Sequence, residues 1–101
     1  MEKFPVERKD LIKKLKEELG YDSYNAEEKA KRLEELTPEM IPLFMAWYKG
    51  DFVDYAIGDV TIEYIMKKAY CNYLDAISWM SYFIKSPKAI EYFKNMNFER
   101  E

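Results

Sequence analysis

An all-α architecture follows from three features of this 101-residue sequence. Apolar residues recur at three- and four-residue spacing in several separate segments, glycine and proline fall between those segments, and no two alternating runs offer themselves as paired strands. The pattern predicts a compact single-domain bundle over residues 1–101, with helices at about 6–19, 26–36, 38–49, 59–85 and 87–96. These make a bundle of about five helices arranged around one long central helix, 59–85, and a 49% hydrophobic content supplies one core at this length.

The first helix comes from PVERKDLIKKLKEELG, where Leu11, Ile12, Leu15 and Leu19 share a face, Pro5 precedes the start and Gly20 stands at the end. Its lysines and glutamates interleave, which describes a solvated face rather than a binding patch. The second helix is short, with Asn25 as N-cap, Glu28 three residues on, and Ala26, Ala30, Leu33 and Leu36 in one stripe. Residues 1–36 hold nine basic and ten acidic side chains, so this region is close to neutral and reads as scaffold.

The third helix opens with Thr37 as cap and Pro38 in its first turn. Pro42 has no N–H to give to the carbonyl four residues back, so it marks either the true start or a kink. Leu43, Phe44, Met45, Trp47 and Tyr48 leave little polar surface before Gly50, which predicts burial on more than one side. DFVDYAIGD then breaks the helical period and reads as an extended connector, with Gly58 at a change of direction and Asp59 as the next cap. From Asp59 to Lys85 no glycine or proline occurs, while Ile62, Ile65, Met66, Ala69, Tyr73, Ala76, Ile77, Met80, Phe83 and Ile84 keep one register. An unbroken helix there would be on the order of 40 Å long at about 1.5 Å per residue. Ser86 and Pro87 open the last helix, with Ile90 and Phe93 inward.

TIEYIMKKA, residues 61–69, resembles the first helix of a helix-turn-helix domain, and Trp79 and Met80 fall where that motif's second helix packs inward. The resemblance implies a small DNA-binding regulator. The chain departs from the pattern at Tyr70, where the turn takes a glycine at positive φ, and at Met66, where alanine permits close packing. The would-be recognition helix carries Asp75 near its start and no base before Lys85, the wrong sign for phosphate. The continuous helix is therefore preferred, and DNA binding is the alternative.

Most catalytic equipment is missing. There is no histidine and a single cysteine, Cys71, which packs as a small apolar residue; none of the three glycines forms a phosphate-cradling motif. Asp51, Asp54, Asp59 and Glu63 lack the spacing of an EF-hand loop. No catalytic, cofactor or metal site is expected. A net charge of -3 gives no general attraction to nucleic acid or to an anionic membrane, and no apolar run reaches the length of a signal peptide core or a membrane span. With no internal disulfide to form, the expected compartment is a reducing cytoplasm.

What remains is an excess of aromatic side chains, nine Tyr, six Phe and two Trp. Tyr48, Asp51, Phe52, Asp54 and Tyr55 cluster after the third helix, and between Thr37 and Met66 five acids stand against one base, Lys49. Tyr70, Trp79 and Tyr82 lie outside the main register and are candidates for an exposed aromatic surface. The reading is a non-enzymatic protein-binding inhibitor or adaptor that uses Tyr48, Asp51, Phe52, Asp54, Tyr55, Asp59, Glu63, Trp79 and Tyr82. A short domain rich in Lys, Glu and Tyr, without catalytic equipment, is similar to the small accessory proteins of phages and mobile elements in low-GC bacteria, anti-CRISPR-type inhibitors among them. That similarity implies a host nucleic-acid-binding protein as partner, its basic groove receiving Asp51, Asp54, Asp59 and Glu63. A homodimer covering the central helix is a third reading.

Overall fold

A computed structural model describes residues 4–98, which are mostly helical, and the chain divides into two units between Glu35 and Leu36. The first unit is a helical hairpin, α1 (Arg8–Leu19) packed on α2 (Ser23–Leu33). Leu11 and Leu15 on α1 and Ala26, Ala30 and Leu33 on α2 are fully buried, as their spacing predicts. Gly20 ends α1 in the left-handed region at φ 70°, its N–H returning 3.1 Å to the Lys16 carbonyl. Two residues later the Asp22 carboxylate accepts from the Asn25 N–H at 2.8 Å and caps α2. The second helix thus begins three residues earlier than expected, and Asn25 is a donor in its first turn rather than its cap. Arg8 closes the open end of the hairpin, donating to both carboxylate oxygens of Glu34 at 2.6 and 3.1 Å.

The second unit starts with a 3₁₀ turn, Pro38–Met40, that runs into α3 (Ile41–Tyr48). Of the two expectations for Pro42, the late start holds. The proline falls in the first turn of α3, where no intrahelical partner is needed from its nitrogen. The connector after α3 is not wholly unpaired. Ala56–Ile57 (β1) and Val60–Thr61 (β2) form a small antiparallel hairpin, Ala56 opposite Thr61 and Ile57 opposite Val60, around the two-residue loop Gly58-Asp59. Glycine at φ 63° in the first loop position is what such a tight hairpin requires. Each strand is two residues long, too short to produce an alternating pattern.

The central helix predicted for 59–85 is two helices, α4 (Ile62–Ala69) and α5 (Tyr73–Lys85). Thr61, not Asp59, caps α4, its hydroxyl accepting from the Tyr64 N–H at 2.9 Å. At the other end Tyr70 takes the left-handed conformation, φ 54° and ψ 47°, and the N–H groups of Tyr70 and Cys71 both turn back to the Met66 carbonyl. The Asn72 side chain then accepts from the Asp75 N–H at 2.9 Å and starts α5. Apolar periodicity could not reveal this break. The three residues 70–72 span nearly one helical period of about 3.6, so the apolar phase is the same on both sides of the corner.

Ile62 and Ile65 on α4, and Tyr73, Leu74, Ala76, Ile77, Met80 and Phe83 on α5, are all buried. Buried Ser81 accepts the Thr37 N–H at 2.9 Å, tying the start of the 3₁₀ turn to α5. After Ser86 and Pro87, whose carbonyls accept from Ala89 and Ile90, α6 (Ala89–Asn95) begins two residues later than expected. It delivers Phe93, 1% exposed, into a cluster with Tyr64, Trp79, Phe83 and Phe98. Among the described residues no helix is long and apolar enough to cross a membrane.

Candidate protein-binding loop

The segment between α3 and β1 is fastened at both ends. Gly50, at φ 93°, lets the chain reverse after α3, its N–H reaching the Trp47 carbonyl at 2.9 Å while that of Asp51 reaches Ala46 at 2.8 Å. At the far end the Tyr55 carbonyl accepts from Ile62 N–H at 3.1 Å, so the start of α4 holds the base of the loop. Two acids organise the stretch between: Asp51 accepts from the Phe52 N–H at 2.8 Å and Asp54 from the Tyr55 N–H at 2.9 Å.

The middle is held from below. Tyr73, the first residue of α5 and only 5% exposed, donates its hydroxyl to the Val53 carbonyl at 2.6 Å. Its ring meets that of Phe52 edge-on, with centroids 5.4 Å apart and planes at 83°. Burial, followed by the nearby carboxylates of Asp54 and then Asp51, pushes the Tyr73 phenol above its ordinary ionisation range. Pinned this way, the loop leaves Phe52 66% and Val53 43% exposed, with exposed Asp51 and Asp54 on either side. An apolar pair framed by two carboxylates can enter a pocket whose rim is basic.

The other predicted residues fare differently. Tyr48 and Tyr55 are half-buried, and the Tyr48 ring packs on Phe44 and Trp47, which makes it support for the loop's root. Asp59, at the hairpin tip, pairs with Lys94 of α6 at 3.0 Å, and the hydrogen bond and charge of that lysine hold its carboxyl below the usual range. Glu63 is held down in the same way by Lys67, four residues on, at 2.8 Å. The four acids therefore have different surroundings. Asp59 and Glu63 already have cations of their own chain, and the acids framing an exposed apolar surface are Asp51 and Asp54.

Trp79 is not an exposed platform: it is half-buried, its ring packed against Phe83, Phe93 and Phe98. Tyr82, 52% exposed, and Tyr70, 51% exposed, meet the expectation of exposed aromatics. Tyr82 is nine residues beyond Tyr73, about 13 Å along α5, and so lies apart from the loop's anchor. Sequence reasoning placed Tyr73 among core residues and missed its second role. A tyrosine on a core face is itself a signal, because its buried hydroxyl must find a partner. Among the described residues no three His, Cys, Asp or Glu side chains group so as to hold a metal ion.

A three-residue turn, 70–72, joins α4 to α5 where the helix-turn-helix resemblance has its turn. The first turn of α5, which such a motif would present to a groove, has Tyr73 and Leu74 buried, carries Asp75, and lies beneath the loop of Asp51 and Asp54. No protein-family model, no curated protein and no solved structure matches this chain.

Proposed function

We propose that this protein is a non-enzymatic, protein-binding inhibitor or adaptor and that loop 51–55 is its contact. The observation that carries the reading is Phe52, two-thirds exposed on a segment whose backbone is fixed at its root, middle and base. An aromatic side chain held in one place gives up little conformational freedom on binding, and such anchors dominate interface energetics. The partner surface is an apolar pocket rimmed by lysine or arginine, which suits a host nucleic-acid-binding protein. A phage or mobile-element origin accords with that role. With Asp59 facing Lys94 and Glu63 facing Lys67 while Asp51 and Asp54 flank the exposed Phe52 and Val53, the chemistry favours an apolar anchor with an acidic frame over an extended mimic of nucleic acid.

Affinity capture from a bacterial lysate with mass spectrometry, run in parallel with Phe52→Ala and with Asp51→Lys combined with Asp54→Lys, tests this. A partner retained by the wild type and lost by both variants, each with unchanged far-ultraviolet circular dichroism, is the expected result. Undiminished capture by the well-folded variants moves the contact elsewhere.

The left-handed corner at Tyr70 favours a second reading, a small helix-turn-helix-like DNA-binding regulator. Asp75 at the start of α5 and the acids above it argue against it on charge. Fluorescence anisotropy with duplex DNA decides: binding that weakens steeply with salt revives this reading, and none at low salt ends it.

A further inference from the structure

We infer that Tyr73 is the positioning residue of the contact proposed above, a latch that keeps loop 51–55 in its presenting conformation. The inference rests on that reading for its functional meaning, but its physical content stands alone. Among the described residues, the backbone hydrogen bonds that join residues 51–55 to α3 and α4 lie at their ends, at Asp51 and Tyr55. The side-chain bonds of Asp51 and Asp54 each span a single residue, so they shape the loop locally. Among the described residues, the middle is attached at long range by Tyr73, twenty residues from Val53, through one hydroxyl bond to Val53 and one ring contact to Phe52.

Those two contacts have different consequences. The hydroxyl bond fixes the backbone at Val53, whereas the edge-on contact fixes one side of a Phe52 ring that remains largely in solvent. The donor is rigid because Tyr73 is buried in the first turn of α5, just after the Asn72 cap. A short bond between a buried phenol and a backbone carbonyl, at 2.6 Å, is well suited to hold a strand of chain that has no ladder partner. A loop already in its bound form loses less entropy when it docks.

The test is ¹⁵N relaxation on the full chain, needing no partner, with Tyr73→Phe and Phe52→Ala beside the wild type. Tyr73→Phe removes one oxygen and keeps the ring. It should leave the order of α3, α4 and α5 intact while residues 52–54 fall from rigid-backbone order parameters of about 0.85 to below about 0.6. Phe52→Ala keeps the hydroxyl bond and should leave Val53 and Asp54 near wild-type order. Unchanged order at 52–54 in Tyr73→Phe overturns the latch, as does a loop freed by Phe52→Ala while Tyr73 is intact; the second result also decides the matter should Tyr73→Phe fail to fold. Capture of the partner is read separately. A disordered loop in Tyr73→Phe with undiminished capture keeps the latch and sinks the contact, whereas an ordered loop with capture lost in Asp51→Lys, Asp54→Lys does the reverse.

Discussion

Two helical hairpins of this chain are built to one plan from different residues. In the first, α1 ends at Gly20 in the left-handed region, Tyr21 follows, and Asp22 caps α2. In the second, α4 ends at Tyr70 in the left-handed region, Cys71 follows, and Asn72 caps α5. Each turn returns backbone N–H groups to the last turn of the helix before it, and each cap accepts from the N–H three residues on. Glycine enters the left-handed conformation at little cost, whereas tyrosine gives up about 1 kcal/mol or more. The difference teaches that a helix can be ended here without glycine, because burial of two facing apolar stripes and an Asx cap outweigh the local preference.

The largest expected effect comes from removing that burial. Leu74→Ala, at a fully buried position in the first turn of α5, should cost about 2–5 kcal/mol in urea denaturation. A cost below about 1 kcal/mol would mean that burial does not hold the second corner. The next pair separates the two hairpins directly. Tyr70→Gly should stabilise the protein by about 1 kcal/mol, while Gly20→Ala should destabilise it by a similar amount, since nothing lies within 4 Å of an added Cβ at Gly20 and the cost is conformational. A destabilisation of about 1 kcal/mol by Tyr70→Gly, the usual penalty for glycine within a helix, would instead indicate an unbroken helix.

The smallest effect concerns the surface ties, Arg8 to Glu34 in one unit and Lys94 to Asp59 in the other. The folded Asp59 carboxyl ionises below its ordinary value because of Lys94, so its contribution is present above the unfolded carboxylate range and is lost as pH falls through the folded value. Thermal melts at neutral pH and near pH 3 should show a slightly smaller acid-induced drop in Asp59→Asn than in the wild type, and the gap should shrink in high salt. Equal drops in both proteins at low salt would show that the pair contributes nothing.

The helical class was readable because the apolar stripes of α1, α2, α3 and α6 are local patterns, set by residues three and four apart. Asp22 escaped notice because Asn25 and Glu28 resemble a capping box, and residue types cannot say which of two Asx side chains reaches an open N–H. The β1–β2 hairpin was hidden by its length. The corner at Tyr70 leaves no mark on the apolar phase, since a three-residue turn reproduces nearly one helical period, and the helix-turn-helix resemblance that places a turn there was outweighed by a tyrosine standing where glycine is usual. At the candidate site, Asp51, Phe52 and Asp54 were legible from the alternation of acid and aromatic residues after Gly50. Tyr73 was not, because its bond to Val53 joins positions twenty residues apart. Trp79 was misjudged because its neighbours include Phe93 and Phe98 on and beyond α6, which no helical wheel of α5 contains.

The bond from the Thr37 amide to the Ser81 hydroxyl sets an order of events during synthesis. Its donor leaves the ribosome 44 residues ahead of its acceptor, so the bond cannot form while α3, the hairpin and α4 emerge. The α1–α2 pair, by contrast, has its buried stripes and both its caps in hand by Leu33. The early part of the chain can settle first, and the later part must wait for the downstream half of α5 before its dry interior can close.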